Sequence, residues 1–382
     1  MNVEPSRTWR ARAATFGLLL GGCAAALVVL EVFLRVVNPF GHRLRGDEIV
    51  LPTHTRHVLQ NHESPKLDRE IVLSKNGLGF RGPELPRDPE GWLTIVAIGG
   101  STTECRFLTD GRDWPAVLAR ALSSRLRRTW VNNAGLDGHS TYGHALLLSQ
   151  RVAALRPKVV LFLVGVNDVE RDDLKSQDRA LVERRDTSLV TRLARHSAIV
   201  AALQNLGRAQ EAEQLALRYR QLDLARLPRL EPDAERTERV RRRQRHEYVR
   251  PFRERLDGLL RLCAEQHITP VLLTQPALYG PAVDDVTGVD LARVEVDARR
   301  RWDGAQAWGV LEEYNEATRA AAAAAGVPLI DLARDLPKSS RLFYDFVHFT
   351  NEGSEAVGQL VSRQLCGPLA ERFPDFVERP CP

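Results

Sequence analysis

A three-layer α/β/α sandwich built on a parallel sheet is the fold class the sequence predicts, and three observations predict it. Short apolar, β-branched runs recur at Leu93–Ile98, Val159–Val164, Thr269–Thr274 and Val327–Ile330, with Trp130–Asn132 as a further short strand candidate. Stretches of helical periodicity separate them, and such alternation implies βαβ units whose sheet is covered on both faces. Val159–Val164 is continuously apolar, as expected of a strand without a solvent face. The chain has 382 residues, 43% hydrophobic and 27% charged, which suits one large or two small globular domains.

Taken from the N-terminus, the first expectation is a membrane anchor. Arg7, Arg10 and Arg12 precede an apolar run from Ala13 to Leu30, which Val32–Leu34 continue after Glu31. About 18–20 apolar residues cross a bilayer core as a helix, and basic flanks stay cytoplasmic. Residues 1–12 are therefore read as a cytoplasmic tail and 13–37 as a single-pass anchor of a bacterial inner membrane, with the rest on the periplasmic side. Two alternatives export the remainder equally: a cleaved signal peptide, and a lipoprotein with Leu20-Gly21-Gly22-Cys23 as lipobox, although the run stays apolar after Cys23.

Residues 38–90 read as a linker with an outer strand near Ile71–Leu73 and a glycine-punctuated turn from Asn76 to Gly82. The main domain, 91–382, has its first strand from Leu93. Asp113–Arg127 has helical periodicity with Pro115 in its first turn, and a second helix is expected from about Tyr142 to Leu155. The closing helix is Asn351–Cys366, capped by Thr350 or Asn351. Between them, Glu170 to about Val249 is polar and rich in Arg, Gln and Glu, and reads as a helical insertion at about 170–250. A second long loop, 276–303, carries Tyr279, Pro281 and Trp302.

Charge and cysteine exclude several function classes. The net charge is +5, and no zinc-finger spacing or aromatic RNA-binding pattern accompanies the arginines, so they read as solvated helix faces without a nucleic-acid partner. An anionic lipid or polysaccharide held by the Arg-rich insertion is the alternative. Cys23, Cys105, Cys263, Cys366 and Cys381 show no CxxC pair and no metal spacing. Cys366 and Cys381 are close enough for a disulfide in an oxidising compartment, though free thiols fit equally. No metal or cofactor is expected.

Four segments leave the same sheet edge and can converge. Gly99-Gly100-Ser101-Thr102-Thr103 follows the first strand, where two glycines permit a sharp turn that exposes Ser101. Asn132 to Ser140 follows the second, Gly165-Val166-Asn167-Asp168 the third, and Asp345-Phe346-Val347-His348 precedes the last helix. In this order and strand context they resemble the blocks of the SGNH/GDSL hydrolases over residues 93–168 and 327–366, less so over the insertion. The resemblance implies a flavodoxin-like sheet order, a nucleophile at Ser101, Asp345 and His348 completing a triad, and oxyanion donors at Ser101, Gly138 and Asn167. A first block reading Gly-Gly-Ser-Thr-Thr instead of Gly-Asp-Ser is similar to the exported branch that acts on carbohydrate acyl groups. The expected function is therefore an esterase or O-acyltransferase on a glycan. A lipase or thioesterase, or a non-catalytic glycan-binding or assembly protein that kept the fold, are the alternatives.

The remaining polar and aromatic residues have plainer expectations. Asp168 reads as a loop anchor, Cys105 as a small buried hydrophobe, and Asp331 as an acceptor of backbone hydrogen bonds at a strand end. Trp114-Pro115 reads as packing and helix initiation. His139 and His144 are placed lining the pocket, at the surface or at a helix start, while Trp302 and Trp308 are assigned to packing ahead of sugar stacking.

Overall fold

The computed structural model describes residues 6–37, 44–45, 48–62, 64–170, 193, 196–203 and 221–381. Contacts divide the chain into two units, Met1–Pro52 with Arg184–Leu217, and Thr53–Glu183 with Arg218–Pro382.

The first unit is dominated by α1, Ser6–Val37, whose stretch Arg12–Val36 is long and apolar enough to cross a membrane. A two-residue antiparallel pair, β1 (Leu44–Arg45) and β2 (Glu48–Ile49), follows. Glu31, the acid within the apolar run, pairs with Arg35 at 2.7 Å. It also accepts from Ser197 Oγ at 2.9 Å and from the N–H groups of Ala198 and Ile199, at 2.7 and 3.1 Å. These donors open a short helical stretch at 198–203, whose first N–H groups lack intrahelical partners and suit a carboxylate. Of the expected insertion, positions 171–192, 194–195 and 204–220 lie outside the described residues.

The second unit holds the parallel sheet. An antiparallel pair outside that sheet, β3 (Thr55–Gln60) and β4 (Glu70–Lys75), precedes it and contains the expected outer strand. The sheet strands are β5 (Leu93–Gly99), β6 (Thr129–Asn133), β7 (Val159–Leu163), β8 (Thr269–Leu273) and, after the short pair β9 (Glu295–Asp297) and β10 (Trp302–Asp303), β11 (Leu329–Ile330). Their order is β11-β8-β7-β5-β6, every pairing parallel, with Ile95 opposite both Val131 and Val159. That is the flavodoxin-like arrangement, whose ligand sites lie beyond the strands' carboxyl ends.

Between strands run α2 (Ser101–Glu104), α3 (Trp114–Ser123), α4 (Thr141–Leu147), α5 (Ala234–Gln244), α6 (Arg250–Glu265), α7 (Gly304–Ala325) and α8 (Leu332–Asp335), and α9 (Asn351–Arg372) closes the fold. Side chains alternate across a strand, so Leu93, Ile95 and Ala97 face one layer, where they pack with Trp114 and Leu118 of α3 and Val357, Val361 and Leu365 of α9. Helices α4, α6 and α7 form the opposite layer, with Phe252 and Tyr314 in edge contact at 5.1 Å. The helix expected over 142–155 is regular only to Leu147; Leu148–Val152 widens into a π turn and Ala153–Leu155 tightens into a 3₁₀ turn. Thr350 caps α9, its hydroxyl accepting from Gly353 N–H at 3.0 Å. Cys366 and Cys381 form a disulfide that fastens the C-terminal tail to α9.

The Arg-rich stretch at the end of the insertion behaves as a salt-bridged surface. Arg239 pairs with Glu235, Arg243 with Glu247 and Arg250 with Glu254, each four residues apart, and Arg241 and Arg245 share Glu313.

Candidate active site

Ser101 begins α2 immediately after β5 and is nearly buried. Gly100 makes this turn possible: a Cβ there would lie 2.1 Å from Asn167 Nδ2 and 3.1 Å from the His139 carbonyl oxygen. Only hydrogen at that position lets the second and third sheet-edge loops close over Ser101.

The last loop returns between Phe343 and Phe349, which bridge as an antiparallel pair with rings 5.4 Å apart. Within this turn Asp345 Oδ1 accepts from the N–H groups of Val347 and His348, at 2.9 and 2.7 Å, which fixes the carboxylate before its second oxygen is used. That oxygen, Oδ2, lies 2.7 Å from His348 Nδ1, and His348 Nε2 lies 2.8 Å from Ser101 Oγ. A carboxylate only accepts, so Nδ1 carries the proton and Nε2 is the acceptor facing the hydroxyl. Leu278 N–H donates to Phe346 at 2.8 Å, tying the turn to the loop after β8.

Asn167 sits in a 3₁₀ turn after β7, and its amide donates to the His139 carbonyl at 3.0 Å. Gly138 has φ +75°, a left-handed conformation that favours glycine, in the turn after β6. Ser101, His348 and Asp345 are thus joined through direct contacts, while Asn167 lies beside Gly100 and Gly138 adjoins the residue whose carbonyl Asn167 holds.

Asp168, fully buried, accepts from the Thr141 hydroxyl at 2.6 Å and backbone N–H at 3.1 Å, and meets Arg255 at 3.4 Å. It anchors two loops, as expected. Arg255 in turn reaches the Tyr142 hydroxyl at 3.0 Å, a contact between positions too far apart in sequence to be anticipated. Cys105 is buried at the end of α2, and burial pushes its thiol well above the usual range. His144 is buried in α4. Asp331 receives Thr274 Oγ1 at 2.8 Å and Arg319 Nε at 2.7 Å, both side-chain donors where backbone donors were expected. Trp114 packs in the core and also donates to the Thr102 carbonyl at 3.2 Å.

Trp302 is buried against Arg300, 5.1 Å from its ring centroid. Trp308 carries the Lys338 ammonium 3.0 Å from its ring centroid. Burial pushes Lys338 down to about 7, with Glu312 opposing the shift.

Tyr344 and Arg81 escaped the sequence reading. Tyr344 lies parallel to His348 with centroids 5.7 Å apart; its signal was an aromatic residue directly before Asp345. Arg81, almost wholly buried, donates to the carbonyls of Glu104, Cys105 and Leu108 at 2.7–2.8 Å. Its signal was its place inside the glycine-punctuated turn.

Among known proteins, the profile of the GDSL-like Lipase/Acylhydrolase family matches residues 97–356. No curated protein matches this chain. The chain is similar to solved structures of a G-D-S-L family protein from Desulfitobacterium hafniense (16% identity, 71% of this chain and 98% of that one, TM-score 0.39). It is also similar to a lipase/acylhydrolase from Enterococcus faecalis (18%, 72% and 96%, TM-score 0.40). A third is an acetylxylan esterase from Geobacillus stearothermophilus (16%, 75% and 98%, TM-score 0.39).

Proposed function

The chain belongs to the GDSL-like lipase/acylhydrolase family, and on that premise we propose that it is a membrane-anchored serine esterase or O-acyltransferase acting outside the cytoplasm on acyl esters, chiefly O-acetyl, of a glycan. The observation that carries this reading is the continuous Ser101–His348–Asp345 contact at 2.8 and 2.7 Å.

Ser101 Oγ attacks the ester carbonyl while His348 Nε2 takes its proton, and Asp345 steadies the imidazolium. Negative charge on the former carbonyl oxygen is met by donors at Ser101 N–H, Gly138 N–H and the Asn167 amide; a donor of this kind is worth about 2.7–4 kcal/mol in the transition state. Collapse of the tetrahedral intermediate breaks the ester C–O bond, and His348 returns the proton to the departing sugar oxygen. Water or a second sugar hydroxyl, deprotonated by His348, then releases the acyl group from Ser101.

Two observations support the extracytoplasmic side: the basic flank before the apolar helix, and the Cys366–Cys381 disulfide, a bond that persists in oxidising compartments. The Gly-Gly-Ser-Thr-Thr block supports a carbohydrate ester over a lipid. The test offers the detergent-solubilised full chain O-acetylated oligosaccharides beside long-chain acyl esters and acyl thioesters. Acetate release from the sugars, lost in Ser101→Ala and His348→Ala, is expected. Preferential turnover of the long-chain substrates would overturn the glycan reading and favour a lipase or thioesterase.

A further inference from the structure

Glu104 ends the short helix that Ser101 begins, and its side chain is fully buried. A carboxylate is rarely enclosed this way unless paired and hydrogen-bonded. Its partners point to a task. Oε2 accepts from the backbone N–H of Asp137 at 2.8 Å, and Oε1 lies 3.5 Å from Lys75 Nζ on β4, outside the main sheet. Arg81 holds the Glu104 backbone carbonyl at 2.8 Å, so the helix end is fixed independently of the carboxylate.

The receiving turn is the one that carries Gly138. Leu136 N–H donates to the Gly99 carbonyl at 3.0 Å, anchoring the start of the turn beside Ser101. Asp137 N–H is held by Glu104, and the His139 carbonyl is held by Asn167 at 3.0 Å. Gly138 therefore sits between two clamps, one reaching from the Ser101 helix and one from the loop after β7.

We propose that Glu104 is a positioning residue for the oxyanion hole: its carboxylate grips the Leu136–Asp137 peptide, the unit next to the one that carries the Gly138 N–H, and so keeps that N–H in register with Ser101. The inference rests on the serine-esterase reading of this site. Displacement of a donor by about 1 Å, felt only when charge develops on the substrate oxygen, lowers turnover up to about 100-fold without weakening ground-state binding.

Two conservative variants separate reach from charge. Glu104→Gln loses the charge but keeps an acceptor oxygen at the same reach. Glu104→Asp keeps the charge and draws the oxygen back by one methylene. With p-nitrophenyl acetate and the full chain in detergent, Glu104→Gln retains kcat within about 3-fold of the parent. Glu104→Asp lowers kcat at least about 10-fold with KM unchanged. Amide exchange of the peptide spanning 134–140 follows the same ranking, faster in Glu104→Asp and parent-like in Glu104→Gln, and this readout stands even where activity is lost. The reverse ranking, a fall in both variants confined to KM, or parent-like behaviour of both in kcat and exchange would overturn the proposal. If the parent chain itself turns over no acyl ester, the reading of the site falls and this inference falls with it.

Discussion

The sheet's carboxyl edge and the Arg-rich segment from Ala234 to Glu265 are both dense in polar residues, yet they spend them differently. At the edge, partners come from remote parts of the chain: His348 meets Ser101, Asn167 meets His139, and Asn133 reaches Asp113 at 3.0 Å. In the Arg-rich segment many pairs are four residues apart on one helix face, as in Arg239–Glu235, Arg243–Glu247 and Arg250–Glu254. Long-range bonds fix one arrangement of loops and are costly to lose. Local pairs on an exposed face contribute about 0.3–0.5 kcal/mol each and chiefly keep the surface solvated.

The largest effect expected from this contrast is at Gly100. A methyl group there displaces the Asn167 amide, so Gly100→Ala lowers kcat for p-nitrophenyl acetate by about 100-fold or more, on the scale of one lost oxyanion donor. Near-parent kcat in a folded variant would show that the edge tolerates slack.

A smaller effect is expected at Lys338, half-buried over Trp308. Its folded value of about 7 lies below the ordinary 10.5, so the unfolded chain takes up a proton that the folded chain refuses. Stability is therefore fully kept above about 10.5 and falls as pH drops towards 7. Lys338→Met flattens thermal stability across that window, which melting curves against pH would read; an unchanged slope would contradict the burial account.

The smallest effect is expected at Arg243, whose contact with Glu247 is 2.8 Å and exposed. Arg243→Ala changes unfolding free energy by no more than about 0.5 kcal/mol and leaves turnover intact. A large loss in chemical denaturation would erase the distinction between the two regions.

The same contrast explains what the sequence made legible. Strands β5 and β7 were readable to within one residue because burial on both faces imposes apolar runs, whereas the edge strand β6 was marked only by Trp130 and Val131. The convergence of Ser101, Asn167, Asp345 and His348 on one sheet edge was readable because each adjoins a strand end or the closing helix. Asp168 was correctly read as an anchor, but its partner Arg255 lies 87 residues away and no periodicity connects them. Arg81 was hidden for a related reason: arginine is a surface residue by default, and the carbonyls that draw it inward belong to another loop. The π turn at Leu148–Val152 leaves no compositional mark, since it changes hydrogen-bond spacing and not side-chain type.

The most direct measurement is acid quenching of the full-length chain during p-nitrophenyl acetate turnover, followed by peptide mass mapping. The account predicts an acetyl group on Ser101, absent in Ser101→Ala, and its accumulation abolished in His348→Ala. Acetylation of a different residue, or turnover that persists in Ser101→Ala, would contradict it.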